Sequence, residues 1–436
     1  MKKSTIVVMS LLVAASMLLA SCGPTATTVA PATQPPATQP PATVPPATEP
    51  PATPTTAPVT ITIWHQWDGA YLDAITKVFN QYMTDHPGVT IDLSKPNDVT
   101  ASLKVAIPAG QGPDILAWAN DQIGSNALAG NIVPLDDQGV TMDFLNSTYE
   151  PAAVNGVVWQ GKIWALPESQ EAIALVYNKD LVTADYLPTD PTNMTDFLAK
   201  AEKFYTDKKI PLVCNQGFKG GDAYHIAPVF FGFGLKQYVD DQGNVTINTP
   251  EAINAMKWLL DLKTKGGLLK DADDAACRTA FETGKVGMDW TGPWAIADFD
   301  KANVNYGIVP MGRPFVGIKA LMLTKNAVDR GNAALALDIM KYYTNAANET
   351  AVAVANKTIP ANTAALKDPS VQALPTLAGF GASAAQGVPM ANTPFANAQW
   401  GPVGDAVGAI WGGTQTPDVA LAAAQKAIED AVAQMK

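Results

Sequence analysis

Val59, Ile61 and Ile63 alternate with Thr60, Thr62 and Trp64, the two-residue period of a strand with one buried face. Leu72, Ile75, Phe79, Tyr82 and Met83 then recur at helical spacing until His86-Pro87-Gly88, where proline removes a donor and glycine lets the chain turn. The stretch VTIDL at 89–93 follows as a second strand. Strand, helix and strand within about 35 residues make a βαβ unit, which calls for parallel pairing.

The alternation continues. DILAW (114–118), AIALVY (172–177), IPLVC (210–214), VGMDW (286–290) and ALML (320–323) are short apolar runs of strand length. Helical spacing separates them near 192–207, 251–265, 274–282 and 329–344. The last helix has a full start signal: Thr416 as N-cap, Pro417 at the first position and Asp418 in the first turn, then Val419, Ala422, Ala423, Ile428 and Val432 on one face. An α/β chain with two open sheets is predicted. In such sheets ligands bind beyond the carboxyl ends of the strands, and Trp67-Asp68, Trp118 to Asp121 and Trp290 to Trp294 all fall at such ends.

The amino-terminal stretch breaks this pattern. Lys2 and Lys3 precede an apolar run from Ile6 to Leu19, closed by Leu19-Ala20-Ser21-Cys22. The run is too short to span a bilayer, and its closing residues match a lipoprotein signal cleavage box. Residues 1–22 are read as that signal, with Cys22 as the lipidated N-terminus anchoring the protein to the outer face of a membrane. An ordinary signal peptide with an incidental Cys22 is the alternative. Residues 23–58 hold the repeated PPATQ, PPATV, PPATE and PPATP, which proline restricts to an extended polyproline conformation. At about 3.1 Å per residue they form a stalk on the order of 90 Å long, whose threonines resemble those of O-glycosylated stalks.

The formal net charge of −11 argues against nucleic acid or an anionic surface as the partner. After the signal no second long apolar run follows, which speaks against a channel or permease. The three histidines, His65, His86 and His225, have no metal-ligand spacing, and there is no P-loop, G-x-S-x-G elbow or dinucleotide fingerprint. Neither metal nor cofactor is expected, and no histidine-based catalysis. Cys214 and Cys277 are the two thiols of the body, and the sequence leaves open whether they pair.

Tryptophan is abundant, with 10 residues. Most tryptophans in a large protein are core, but Trp67-Asp68-Gly69, Trp118-x-x-Asp121 and Gly292-Pro293-Trp294 set a ring beside a carboxylate or a tight turn. A sugar needs that pairing: an aromatic face for its C–H face, and polar groups for its hydroxyls.

The body resembles the extracellular solute-binding proteins of carbohydrate ABC importers, most closely the maltose/maltodextrin-binding proteins. The resemblance runs in order through GPDILAWANDQIG (112–124), EAIALVYNKDL (171–181), GDAYHIAPVFFGFG (221–234), DWTGPWAIADFDKANVNYGIVP (289–310), FVGI (315–318) and MANTPFANAQWGPV (390–403). It implies a two-lobed periplasmic-binding-protein-like fold, each lobe an open, mostly parallel sheet flanked by helices, with a hinge between them. The lobes are expected at 59–170 with 318–366, and at 171–317 with 367–436. It implies an oligosaccharide ligand held by Asp68, Trp118, Asp121 and Glu171 on one side and Asp222, Tyr224, Trp294 and Trp400 on the other. Trp67 and His65 are added candidates. Gln122 and Gly69 stand where maltose binders carry an arginine and a lysine, and Asp222 where they carry a glutamate. The implied protein is a monomeric receptor, not an enzyme, that hands its sugar to ABC permease subunits. A surface glycan-binding protein without transport, or a glycoside hydrolase using paired carboxylates, is the competing reading.

Overall fold

The structure, a computed structural model, describes residues 58–436; the signal, Cys22 and nearly all of the stalk lie outside them. The chain forms β1 (Val59–His65), β2 (Val89–Ser94) and β3 (Ile115–Ala119), then a small hairpin of β4 (Val158–Trp159) and β5 (Lys162–Ile163). It continues through β6 (Leu166–Glu171), β7 (Ala174–Asn178), β8 (Val213–Cys214), β9 (Met288–Thr291) and β10 (Tyr306–Val309). The long β11 (Phe315–Leu323) precedes the short β12 (Ile359–Pro360) and β13 (Val388–Pro389). One sheet has the order β12-β6-β11-β3-β1-β2, with β13 also pairing to β11; the other runs β10-β7-β9-β8. The fold is mixed α/β with two lobes, as expected.

Pairing is mixed within both sheets, which corrects the expectation of mostly parallel strands. β1 pairs in parallel with β2 and β3, as the βαβ pattern requires, but β11 runs antiparallel to both β3 and β6. In the second sheet β7 is antiparallel to β9 and β10, and only β8–β9 is parallel. Strand type was readable from apolar runs. Direction depends on how the chain returns between lobes, which the runs do not encode.

The helix after β1 spans Gly69–Asp85 and buries Tyr71, Ile75, Val78, Phe79 and Tyr82. The apolar stripe is therefore shifted toward Tyr71 and Val78, with Leu72 and Met83 at its margin. Asn193, Thr249 and Asp273 cap the helices Met194–Lys208, Pro250–Thr264 and Asp274–Glu282 by accepting backbone N–H bonds, satisfying donors a helix start leaves free. The helix expected near 329–344 occupies Ala333–Tyr343. The final helix, Pro417–Ala433, follows Thr416, whose side chain makes no capping bond.

Each sheet has its own apolar core, one centred on Ile61, Ile63, Ile115 and Leu321, the other on Leu175, Phe197, Phe230 and Trp290. Two passages between the sheets border the site. β6 ends at Glu171 and β7 begins at Ala174, and β11 starts with Phe315 in the second core and continues with Ala320 to Leu323 in the first. Cys214 and Cys277 form a disulfide, with Cα atoms 5.6 Å apart, fastening β8 to helix Asp274–Glu282.

Candidate functional site

Trp118 lies near the carboxyl end of β3, directly opposite Ala320 of β11, and Lys319 pairs with the next residue, Ala119. The half-buried Trp118 ring borders a cavity of about 420 Å³, within the size range of ligand sites. Trp294 and Trp400, also half-buried, line the same cavity. Trp294 packs against both cores and against a third apolar cluster around Val176, Phe281 and Phe299, and so sits where the lobes meet. A Cβ on Gly292 would fall 2.2 Å from its indole, so the Gly-Pro-Trp sequence lets the ring fold back over its own turn.

Asp121 lines the cavity just ahead of helix Gln122–Leu128. Its Oδ2 accepts from the Trp400 indole at 2.9 Å and from the Gln122 amide at 3.2 Å, while Oδ1 has no partner among the described residues. Burial pushes this carboxyl up to about 6, against the pull of the Trp400 and Gln122 bonds. A buried acceptor without a donor is costly, and a ligand hydroxyl would complete it. Gln122 is outside the cavity lining; its amide joins Asp121 to Asn397.

Glu171 and Lys319 form a buried ion pair at 2.9 Å, and both line the cavity. The Lys319 ammonium lies 4.2 Å from the Tyr71 ring centroid and 5.5 Å from that of Trp294, one ring from each side. Tyr71 donates to Glu168 and Glu171, and Tyr343 to Glu168. Burial raises Glu168 to about 7, with Lys319 opposing. Sequence reasoning missed Lys319. A single cation in the otherwise apolar run of β11 was the available signal, because an unpaired buried lysine is too costly to persist.

The other expected residues divide. Tyr224 lines the cavity. Asp222, expected as a ligand contact, is not in the lining: it caps helix Ala223–Gly232, accepting from the Tyr224 and His225 backbones, the Gln216 amide and the His225 ring. Both its oxygens are occupied, and the neighbours it holds, Gln216 and His225, line the cavity in its place. Asp68 is at the exposed rim, paired with Lys95. Trp67 reaches the cavity but is only 1% exposed, stacked on His65 and packed on Phe79 and Tyr343. It is chiefly core, and His65 lies outside the lining. Gly69 has φ +51, and a Cβ there would meet the Asp298 carboxylate at 3.0 Å, so a lysine at this position would be strained. Asp298 instead accepts from the Ala70 N–H and binds Arg278, which lines the cavity with Asp274. Neither Arg278 nor Asp274 was anticipated. Among the described residues there is no cluster suited to a metal ion, and no helix long and apolar enough to cross a membrane.

A cavity between two α/β lobes, walled by aromatic rings and buried polar groups, defines a two-lobed binding protein. Residues 77–379 match the family of bacterial extracellular solute-binding proteins, and the chain belongs to that family. It is 28% identical over 365 residues to a maltotriose-binding protein of Pyrococcus abyssi, covering 80% of this chain and 77% of that one. It is 25% identical to a galactooligosaccharide-binding protein of Bacillus subtilis, covering 77% of this chain and 80% of the other. Its fold matches a Thermus thermophilus maltotriose-binding protein solved with maltotriose, at a TM-score of 0.74 and 25% identity over 85% of this chain and all of that one. A maltose/maltodextrin-binding domain of Bdellovibrio bacteriovorus shares the fold at a TM-score of 0.77 and 24% identity, with 86% of this chain and 100% of that one covered. The family and these relatives are binding proteins, and the chain is a binding protein and not an enzyme.

Proposed function

We propose that this protein is a lipid-anchored receptor that captures an oligosaccharide of the maltose/maltodextrin type between its lobes and delivers it to the permease of an ABC importer. The observation that carries the reading is the convergence of three half-buried indoles, Trp118, Trp294 and Trp400, with the unpartnered Asp121 oxygen at one cavity. Rings stack on the C–H faces of pyranoses, while buried acceptors select hydroxyls. Maltotriose, the named ligand of two of the relatives, belongs to that sugar type, and the galactooligosaccharide of a third supports an oligosaccharide more broadly. We place the lobes at 59–170 with 318–366, and at 171–317 with 367–436. The turn Pro394–Ala398, from the last of these segments, packs on helix Gln122–Leu128 of the first lobe, so the C-terminal segment reaches across the cleft.

Calorimetry against maltose, maltotriose, longer maltodextrins and galactooligosaccharides tests the ligand. Saturable binding, tightest for a maltodextrin, is expected; binding of galactooligosaccharides alone would move the ligand to that class, and binding of none would overturn the reading. The anchor is tested separately: Cys22→Ser should shift the protein from the membrane to the soluble fraction.

A further inference from the structure

His225 sits in the first turn of helix Ala223–Gly232, is 7% exposed, and lines the cavity. Its Nδ1 lies 2.8 Å from Asp222 Oδ2, and its Nε2 is buried without a partner among the described residues. The ring is fixed from several sides: Asp222 holds it in line, the Trp294 ring meets it edge-on with centroids 5.7 Å apart, and Tyr224 does the same at 5.4 Å. Its position is specified by these three groups, yet one of its two polar atoms has no partner among the described residues. A buried polar atom without a partner is expensive, and a ligand atom held in the cavity would complete it.

We propose that His225 is a ligand-contacting residue whose Nε2 bonds a hydroxyl of the bound oligosaccharide, with Asp222 as the positioning residue behind it. This rests on the oligosaccharide-receptor reading above. The chemistry follows from the carboxylate at Nδ1. Asp222 is held well below the usual carboxylate range, its burial outweighed by His225 and the Gln216 bond, so it is ionised and can only accept. Nδ1 must therefore carry the proton. Nε2 is then a lone-pair acceptor when the ring is neutral and a donor when it is charged. Burial disfavours the charged ring, but Asp222, Asp274 on helix Asp274–Glu282 and Asp289 on β9 outweigh it and raise the histidine; Arg278, beside Asp274 and Asp298, is the cation packed nearest these acids. A sugar hydroxyl both donates and accepts, so it fits either state of the ring. An ether or acetal oxygen fits the charged ring alone. The site selects a free hydroxyl on the sugar unit lodged between Tyr224, His225 and Trp294.

Maltotriose calorimetry on the wild type, His225→Phe and His225→Gln tests this, with melting temperatures measured in parallel. Phenylalanine keeps the ring's bulk and loses both nitrogens, and roughly 10- to 100-fold weaker binding is expected. Glutamine places an amide near the Nε2 position and should recover part of the loss. A shift of less than threefold in a folded His225→Phe protein would overturn the proposal while leaving the receptor reading intact. Failure of the wild type to bind any oligosaccharide would overturn both. Should the phenylalanine variant melt early, the wild type decides: in ¹⁵N spectra, saturating maltotriose must shift the Nε2 resonance of His225, and an unmoved resonance would overturn the contact.

Discussion

The two walls of the cavity are built differently. On the first-lobe side, Trp118 and Lys319 project from β3 and β11, whose antiparallel register runs from Lys319 opposite Ala119 to Leu323 opposite Ile115. Main-chain ladders fix these side chains to within the tolerance of a sheet. On the other side, Tyr224 and His225 sit in the first turn of one helix, Asp274 and Arg278 on a second, and Trp294 in a short turn after β9. The nearby strand β8 has two residues. This wall is held by caps, side-chain bonds and one disulfide. A wall fixed by register should lose position only when a large term fails, whereas one fixed by side chains should loosen with smaller losses.

The largest expected effect comes from the one large side-chain term in the first wall. Lys319→Met strands Glu171, with Glu168 beside it, in a buried site, and breaking a buried pair by removing one partner costs about 3–5 kcal/mol. Urea denaturation of the unliganded protein should show that loss. A cost below about 1 kcal/mol would mean that the pair is solvated and the two walls less unlike than argued.

The second wall is sharpened by its disulfide. Closing a loop with a sequence separation of 63 is worth about 4 kcal/mol from chain entropy. Replacing Cys214 and Cys277 together by alanine should lower stability by an amount of that order. Because Arg278 follows Cys277 directly, sugar affinity should also fall. Lost stability with unchanged affinity would show that Asp274 and Arg278 are positioned by their own ion pairs with no help from the bridge.

Next come the tryptophans. Trp118 is half-buried against the first core, while Trp290 is fully buried on the second sheet. Trp290→Ala should cost about 3–5 kcal/mol of stability. Trp118→Ala should leave folding nearly intact and weaken maltotriose binding by about 1–3 kcal/mol, a Kd ratio of roughly 5 to 150. Melting temperature without ligand, paired with calorimetry, separates the two. A Trp118→Ala protein that melts like Trp290→Ala would make Trp118 core.

What could be read in the sequence follows the same division. The first wall was largely legible, since β1, β3 and the loop from Trp118 to Asp121 announce themselves by period and by a ring beside an acid. Gly292-Pro293-Trp294, on the second wall, was legible for a similar reason, a ring beside a tight turn, and the glycine is demanded by the indole two residues on. The rest of the second wall, beyond Trp294 and the Tyr224 that the resemblance supplied, was not. Asp222 has the composition of a ligand residue, but whether a carboxylate faces a cavity or a helix start depends on which donors surround it, and only the fold brings Gln216 and His225 to it. Nothing in the sequence singles out Arg278 and Asp274, four residues apart on one helix, because only the fold brings Asp298, which accepts from the Ala70 N–H, to Arg278. The pairing of Cys214 with Cys277 was likewise open, because spacing carries no distance.

The smallest expected effect probes the first wall's unpartnered acid. Asp121 is raised by burial to about 6 from its ordinary 3.8, so between those values the native state binds more protons than the unfolded chain, and stability falls as pH rises through that window. Glu168 and Asp289, both raised to about 7 mainly by burial, act in the same direction, as does His225, whose raised value gives stability at low pH that is lost as the ring deprotonates. The unliganded protein should therefore melt at a higher temperature at pH 5 than at pH 8. In Asp121→Asn the Trp400 and Gln122 donors hold the amide oxygen at the Oδ2 position, which leaves the NH2 group at the bare Oδ1 position. The variant has no anion to bury, so its melting temperature should exceed the wild type's at pH 8 and converge with it at pH 5. Sugar binding should weaken at pH 8 by only about 1 kcal/mol, roughly fivefold, because a charged acceptor is exchanged for a neutral donor that a hydroxyl can still meet. An Asp121→Asn protein that is less stable than the wild type at pH 8 would mean that the carboxylate is satisfied in the unliganded state, and that the first wall, like the second, depends on its side-chain network.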